Sequence, residues 1–177
     1  MRRPAPLAAL GILAVAMSVA ACGGGDFEPA IPAFAAEVTG AVTRSIAGVS
    51  AFGVVRDGGQ TGFTFVMEDS SGSNSILLQK PATSKPVTGD YLIVPPDQVG
   101  PLGLYRGRVR MIVDGALEEY VAQSGDLIII EATPTSLRGT FAFTAVRTSP
   151  CCDPEPVIIE VEGTYTAVQG PVAPDAR

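Results

Sequence analysis

Apolar and polar residues alternate along several windows of this chain between residues 34 and 168, most regularly in 63–68, 140–145 and 157–165. Successive side chains of a β-strand point to opposite faces, so this period of two predicts strands with one buried face and one face in water. None of these windows keeps apolar residues at the i, i+3, i+4 and i+7 spacing of a helix. The 20 Gly and 15 Pro among 177 residues also disfavour long helices.

Turn residues separate the alternating windows and set the predicted fold class. Asp57-Gly58-Gly59 and Asp114-Gly115 are typical hairpin turns, and Thr133-Pro134-Thr135-Ser136 forms another connection. About ten short strands are expected, which predicts an all-β domain, either an antiparallel β-sandwich or a barrel. Residues 95–99 are the one place where a helical turn is also considered. Further strands are expected at 35–43, 46–55, 75–79, 90–94, 105–113, 117–122 and 127–130.

The composition excludes several classes of function. The chain has no His, which removes Ser-His-Asp and Cys-His nucleophiles and His-ligated metals. Its formal net charge is −6, and without Arg2 and Arg3 the count is 10 basic against 18 acidic residues, or −8. Nucleic acid is therefore not an expected partner. The neighbours Glu118 and Glu119 should point to opposite faces of a strand, so we do not interpret them as a catalytic acid and base. We predict a protein that is not an enzyme, with no metal and no cofactor.

The first 22 residues read as an export signal. Arg2 and Arg3 precede an apolar run of residues 7–20 that is shorter than a membrane-spanning helix. At its end, Val19-Ala20-Ala21-Cys22 resembles the lipobox of bacterial lipoproteins. That resemblance implies cleavage between Ala21 and Cys22 and acyl chains on Cys22; the alternative is an ordinary signal peptide. Gly23, and not Asp, follows the cysteine, and this resembles lipoproteins that are sorted to the outer membrane if the source has two membranes.

The predicted organisation has four parts. Residues 1–21 form the signal peptide, 22–33 the lipidated Cys and a flexible Gly/Pro tether, 34–168 the all-β domain, and 169–177 a disordered tail. Residues 139–145 and 162–165, Gly-Thr-Phe-Ala-Phe-Thr-Ala and Glu-Gly-Thr-Tyr, are similar to the closing strands of uncharacterised all-β bacterial lipoproteins. Those families supply no catalytic residues to carry over.

Cys151 and Cys152 are adjacent in a Pro-rich loop. Outside the cytoplasm thiols tend to oxidise, but neighbouring Cα atoms lie about 3.8 Å apart, below the usual disulfide range, so a bond between them is strained. A vicinal disulfide that stiffens the loop, an intermolecular bridge and free thiols are the competing interpretations. Redox activity and metal binding are weaker ones, because two adjacent thiolates lack further ligands.

Arg106, Arg108 and Arg110 should lie along one strand face at intervals of about 7 Å. They can contact an anion such as a lipid phosphate or a sugar acid, since guanidinium groups match such oxygens. The competing interpretation is a solvated face with cross-strand partners, in which a two-residue turn at Asp114-Gly115 places Arg110 opposite Glu119. The polar segment 68–75 is read as a hairpin connection in preference to a calcium loop.

These observations predict a membrane-anchored, extracytoplasmic lipoprotein of the bacterial cell envelope, in the outer membrane if the source is diderm. Its partners would be the membrane, through the lipid anchor, and an unknown protein, glycan or lipid. We expect a non-enzymatic binding, adhesion or envelope-structural role. The alternative is a small β-barrel carrier of an apolar ligand, whose cavity would be lined by aromatic residues that otherwise fill a core: Phe63, Phe65, Phe141, Phe143 and Tyr165.

Overall fold

A computed structural model of the chain describes residues 31–57, 60–98, 100, 103–148 and 155–171. This part of the chain contains nine β-strands and no helix, and the all-β prediction is confirmed. No helix of the described residues is long and apolar enough to cross a membrane. The strands are β1 (Ala33–Gly40), β2 (Arg44–Asp57), β3 (Gln60–Asp69), β4 (Ser75–Lys80), β5 (Gly89–Ile93), β6 (Arg106–Val113), β7 (Ala116–Ala132), β8 (Ser136–Arg147) and β9 (Ile158–Gln169).

Eight of these strands close into an antiparallel barrel, so of the two architectures expected the chain adopts the barrel. Around the barrel the order is β1, β2, β3, β4, β6, β7, β8 and β9, and β9 pairs back with β1. Strand β5 lies outside this ring and pairs with the second half of β7. Closure pairs the edges that an open sheet would leave exposed.

Strand β7 accounts for the difference between about ten expected strands and the nine observed. The two windows predicted at 117–122 and 127–130 belong to this one strand. Gly125, with φ +155°, and a register shift between Ala122 and Ser124 bend the strand where a break was expected. A β-bulge of this kind inserts a residue without ending the pairing with β8.

The hairpin prediction at Asp114-Gly115 is confirmed. Val113 pairs with Ala116, and φ is 50° at Asp114 and 82° at Gly115, as a two-residue type I′ turn requires. Asp57 pairs with Gln60, so β2 and β3 also form a hairpin, while residues 58 and 59 of its turn lie outside the described residues. The segment 95–98 is a turn closed by the Gln98 amide donating to the Pro95 carbonyl, without a helix, and residue 99 is not described.

Alternate side chains of every barrel strand fill the interior. The predicted inward set of Phe63, Phe65 and Met67 is at most 2% exposed. Aromatic rings concentrate toward the end of the barrel where β1, β3, β6 and β8 begin, which we call the aromatic end. There Phe65 lies 5.3 Å from Tyr165 and 6.0 Å from Tyr105, measured between ring centroids. The opposite end carries the Asp114-Gly115 turn.

Candidate functional site

Lys80 is a charged residue inside the barrel at its aromatic end. It follows Ile76 and Leu78 on the inward face of β4, and it is 5% exposed. Its Nζ lies 5.6 Å from the ring centroid of Phe63 and 5.9 Å from those of Tyr91 and Tyr105. A cation at these distances is attracted by the negative face of each ring.

The Lys80 ammonium has ring partners but no acidic one. Across the described residues, neither an ion pair nor a hydrogen bond to this ammonium is formed. Burial removes water from the charged form, and it lowers the pKa of Lys80 below its usual value. The barrel end therefore holds a positive charge that no described carboxylate neutralises.

Tyr105 places a second unsatisfied polar group in the same region. The residue is 0% exposed, and its hydroxyl has no hydrogen-bond partner among the described residues. Burial raises the pKa of this phenol, and the nearby phenols of Tyr91 and Tyr165 raise it further. The Ser50 and Thr64 hydroxyls are also buried without a partner. A buried polar group without a partner is costly, and it needs an explanation wherever it occurs.

The connection between β4 and β5 packs against the aromatic end of the barrel. The Phe63 amide donates to the Ala82 carbonyl at 2.9 Å. Lys85 donates to the Thr133 carbonyl, and its Nζ lies 5.3 Å from the ring centroid of Phe52. Burial lowers the pKa of Lys85 as well. Lys80 at the end of β4 and Lys85 in the connection thus both lie over aromatic rings at one end of the barrel.

A groove of about 420 Å³ opens to solvent beside Lys80. A Cβ on Gly62 would lie 2.7 Å from the Lys80 carbonyl and 3.1 Å from Gln79 Nε2, so these groups crowd the floor of the groove. None of the described residues that line it is acidic. They are Thr61, Gly62, Gln79, Lys80, Pro81 and Arg106.

The three arginines of β6 do not behave as one set. Arg110 lies opposite Glu119 as predicted, with its Nε 3.0 Å from the carboxylate, and Arg108 Nε lies 3.5 Å from the same side chain. Arg106 is exposed, lines the groove, and makes no ion pair among the described residues. The cross-strand interpretation therefore fits Arg108 and Arg110, whereas the anion-contact interpretation is left with Arg106.

The neighbours Glu118 and Glu119 point to opposite faces, as expected. Glu118 accepts a hydrogen bond from the Tyr120 hydroxyl and pairs with Arg147 at 2.9 Å near the turn end of the barrel. Burial and the Glu118 carboxylate raise the pKa of Tyr120 to about 12, against a smaller opposing effect of Arg147. This carboxylate is thus part of a structural ion pair.

The polar segment 68–75 is a hydrogen-bonded connection between β3 and β4. Asp69 accepts from the backbone amides of Ser71 and Ser73 and from the Asn74 side chain. Burial alone would raise the pKa of Asp69, but the hydrogen bonds from Asn74, Ser71 and Ser73 outweigh it and lower that pKa. The carboxylate oxygens are therefore used within the turn.

Four residues singled out from the sequence lie outside the described part of the chain: Ala21, Cys22, Cys151 and Cys152. Lys80 was not singled out, although its position two residues after Leu78 continues the inward period of β4. Comparisons of this chain with protein-family models, with curated proteins and with solved structures found no match. Its function is therefore inferred from its own residues.

Proposed function

We propose that this chain is a lipid-anchored, extracytoplasmic lipoprotein of the bacterial envelope whose barrel is a non-enzymatic binding module. The observation that carries the proposal is the filled interior of the barrel. Buried side chains from all eight strands form one continuous hydrophobic cluster. With its centre occupied, the barrel offers a partner its outer face and its ends.

The attachment of the chain supports the proposed arrangement. Strand β1 begins at Ala33, eleven residues after Cys22, and leaves the barrel at its aromatic end. Eleven extended residues span at most about 40 Å. Acyl chains on Cys22 would therefore keep the groove beside Lys80 close to the membrane surface.

The non-enzymatic part of the proposal is supported by how the adjacent carboxylates Glu118 and Glu119 are used. Glu118 is held by Arg147, and Glu119 by Arg108 and Arg110. Catalytic carboxylates need separate environments that push their pKa values apart, together with a cleft in which a reacting atom fits between them. Ion-paired carboxylates on opposite faces of one strand do not provide that arrangement.

Metabolic labelling with a radioactive fatty acid tests the anchor. We expect label on the wild-type protein, none on Cys22→Ala, and full label on Cys151→Ala as the matched control. Undiminished label on Cys22→Ala, or none on the wild type, would contradict the proposal. Washing membranes with high salt separates acylation from electrostatic adsorption, since a diacyl anchor resists salt.

A carrier of an apolar ligand is the second candidate, because the Tyr105 and Ser50 hydroxyls lie buried in the structure without partners. In a carrier, the bound molecule would displace part of the packed interior and supply a polar atom to each of these hydroxyls. Solvent extraction of the purified protein followed by mass spectrometry distinguishes the two functions. One lipid per chain, lost when Ser50 or Tyr105 is replaced, favours the carrier, whereas lipid confined to Cys22 favours the anchored module.

A further inference from the structure

We propose that the groove at the aromatic end, between Arg106 and the buried charge of Lys80, binds a phosphate group. The inference deepens the binding role proposed above, and it rests on that role but not on the lipid anchor. It names the chemistry of the ligand, which a phospholipid headgroup or a free phosphate can supply.

Arg106 supplies the exposed side of the site. It stands at the start of β6, opposite Gln79 of β4, and both side chains line the groove. Two residues further along, Arg108 is occupied by Glu119, which lies too far along the hairpin to pair opposite Arg106. The guanidinium of Arg106 therefore keeps its donors for a ligand, and its fork matches two phosphate oxygens.

Lys80 supplies positive charge behind the groove. Its side chain turns inward to the rings of Phe63, Tyr91 and Tyr105, so its charge is poorly screened by water. Electrostatic attraction through such a desolvated region is stronger than at an open surface. An anion in the groove would be attracted by this charge while the Lys80 ammonium stays over its rings.

The donors favour phosphate over a carboxylate. Arg106 and Lys80 together carry two positive charges, which matches the charge of about −1.5 to −2 on a phosphate monoester at pH 7. The Gln79 amide and the Thr61 hydroxyl line the same groove and add neutral donors. A carboxylate has one charge and two oxygens, so it would leave part of this set unused.

Calorimetric titration of the full chain in a neutral detergent tests the proposal. The probes are inorganic phosphate and short-chain, water-soluble phosphatidic acid, with the diester phosphatidylglycerol for comparison. We expect saturable binding of one phosphate per chain, weakened at least tenfold in Arg106→Gln. Arg108→Gln is the matched control and should bind as the wild type does. Saturation by phosphatidic acid alone identifies a lipid headgroup as the source, and saturation by inorganic phosphate identifies free phosphate.

A second readout observes Lys80 without replacing it, so it avoids folding defects that a Lys80 substitution would cause. Bound phosphate should raise the pKa of Lys80 in the wild-type protein, because an anion favours the ammonium form. NMR of ¹³C-labelled lysine measures this pKa. The same addition should leave this pKa unchanged in Arg106→Gln. Absence of saturation at tens of millimolar phosphate, or binding that Arg106→Gln does not weaken, would overturn the proposal. Neither result bears on acylation, which the Cys22 labelling measures separately.

Discussion

Replacing Tyr105 with Phe should stabilise this protein. The hydroxyl is fully buried and has no hydrogen-bond partner in the part of the chain that the structure describes, so the folded state bears its desolvation cost of about 1–3 kcal/mol without a compensating bond. Phe keeps the ring that contacts Phe65 and Tyr91. We expect a gain of about 1 kcal/mol at pH 7, or a melting temperature about 2–4 °C higher.

The stabilisation by Tyr105→Phe should grow at alkaline pH. In the unfolded chain a tyrosine loses its proton near pH 10, whereas burial raises the pKa of Tyr105 and Tyr165 in the folded protein and that of Tyr120 to about 12. The unfolded state then binds fewer protons, so stability is intact below pH 10 and falls above it. Each such phenol therefore costs on the order of 2 kcal/mol of stability by pH 12, with the smallest cost at Tyr120.

The two lysines with lowered pKa values act in the opposite direction. Lys80 and Lys85 lose their protons earlier in the folded state than in the unfolded one, so stability rises with pH across that interval. The interval ends near pH 10.4, where unfolded lysine deprotonates. Above that pH the buried tyrosines dominate the trend among the described groups. Together they cost several kcal/mol by pH 12, which is a large fraction of the stability of a typical domain.

The assay is a pH titration that follows far-UV circular dichroism together with tyrosinate absorbance at 295 nm. The wild type should unfold cooperatively above about pH 11 with a simultaneous rise of the absorbance, and Tyr105→Phe should unfold about one pH unit higher. Tyr120→Phe is the matched control, because it loses a hydrogen bond to Glu118 and should be destabilised at pH 7. A Tyr105→Phe protein that melts as low as Tyr120→Phe would refute the reasoning.

Three further substitutions and one control substitution test the barrel. Gly139→Ala should cost at least about 2 kcal/mol in urea unfolding, because its Cβ would overlap a carbonyl of the neighbouring strand. The control Gly103→Ala should be neutral, because a Cβ there would have no atom within 4 Å. Equal effects of the two substitutions would contradict this packing. Glu118→Gln should cost about 1–3 kcal/mol, since Arg147 is partly buried, with no loss if the ion pair is unimportant. Arg108→Gln should change stability by less than about 1 kcal/mol; a larger loss would mean that its exposed ion pair is stronger than the geometry implies.

The alternation of residues predicted the strands and their buried faces but not how the strands close. Phe141, Phe143 and Ala145 point inward as their period of two requires. Closure depends on β9 pairing with β1 across more than a hundred residues, and Ala33 paired with Thr166 leaves no local signature. Sandwich and barrel share the same local pattern, so the sequence allowed both.

The alternation of residue types does not identify Lys80 as an interior residue, because lysine is usually a solvent-facing residue. The predicted strand 75–79 ends one residue before it. In the barrel, β4 continues for one more residue, and the parity of Ile76 and Leu78 carries Lys80 inward. The geometry of the strand, and not the polarity of the residue, sets the direction of the Lys80 side chain. Three aromatic rings compensate part of the cost of burying its charge.

The three arginines of β6 show the converse, in which identical residues in a regular pattern acquire different surroundings. The length of the Asp114-Gly115 turn sets the register of β6 against β7. That register places Glu119 opposite Arg110 and within ion-pair distance of Arg108. Arg106 lies beyond the reach of that carboxylate and beside a groove whose described lining has no acid. A register changed by one residue would turn the Glu119 side chain to the other face of the sheet, so the length of the turn decides which guanidinium groups have a carboxylate beside them.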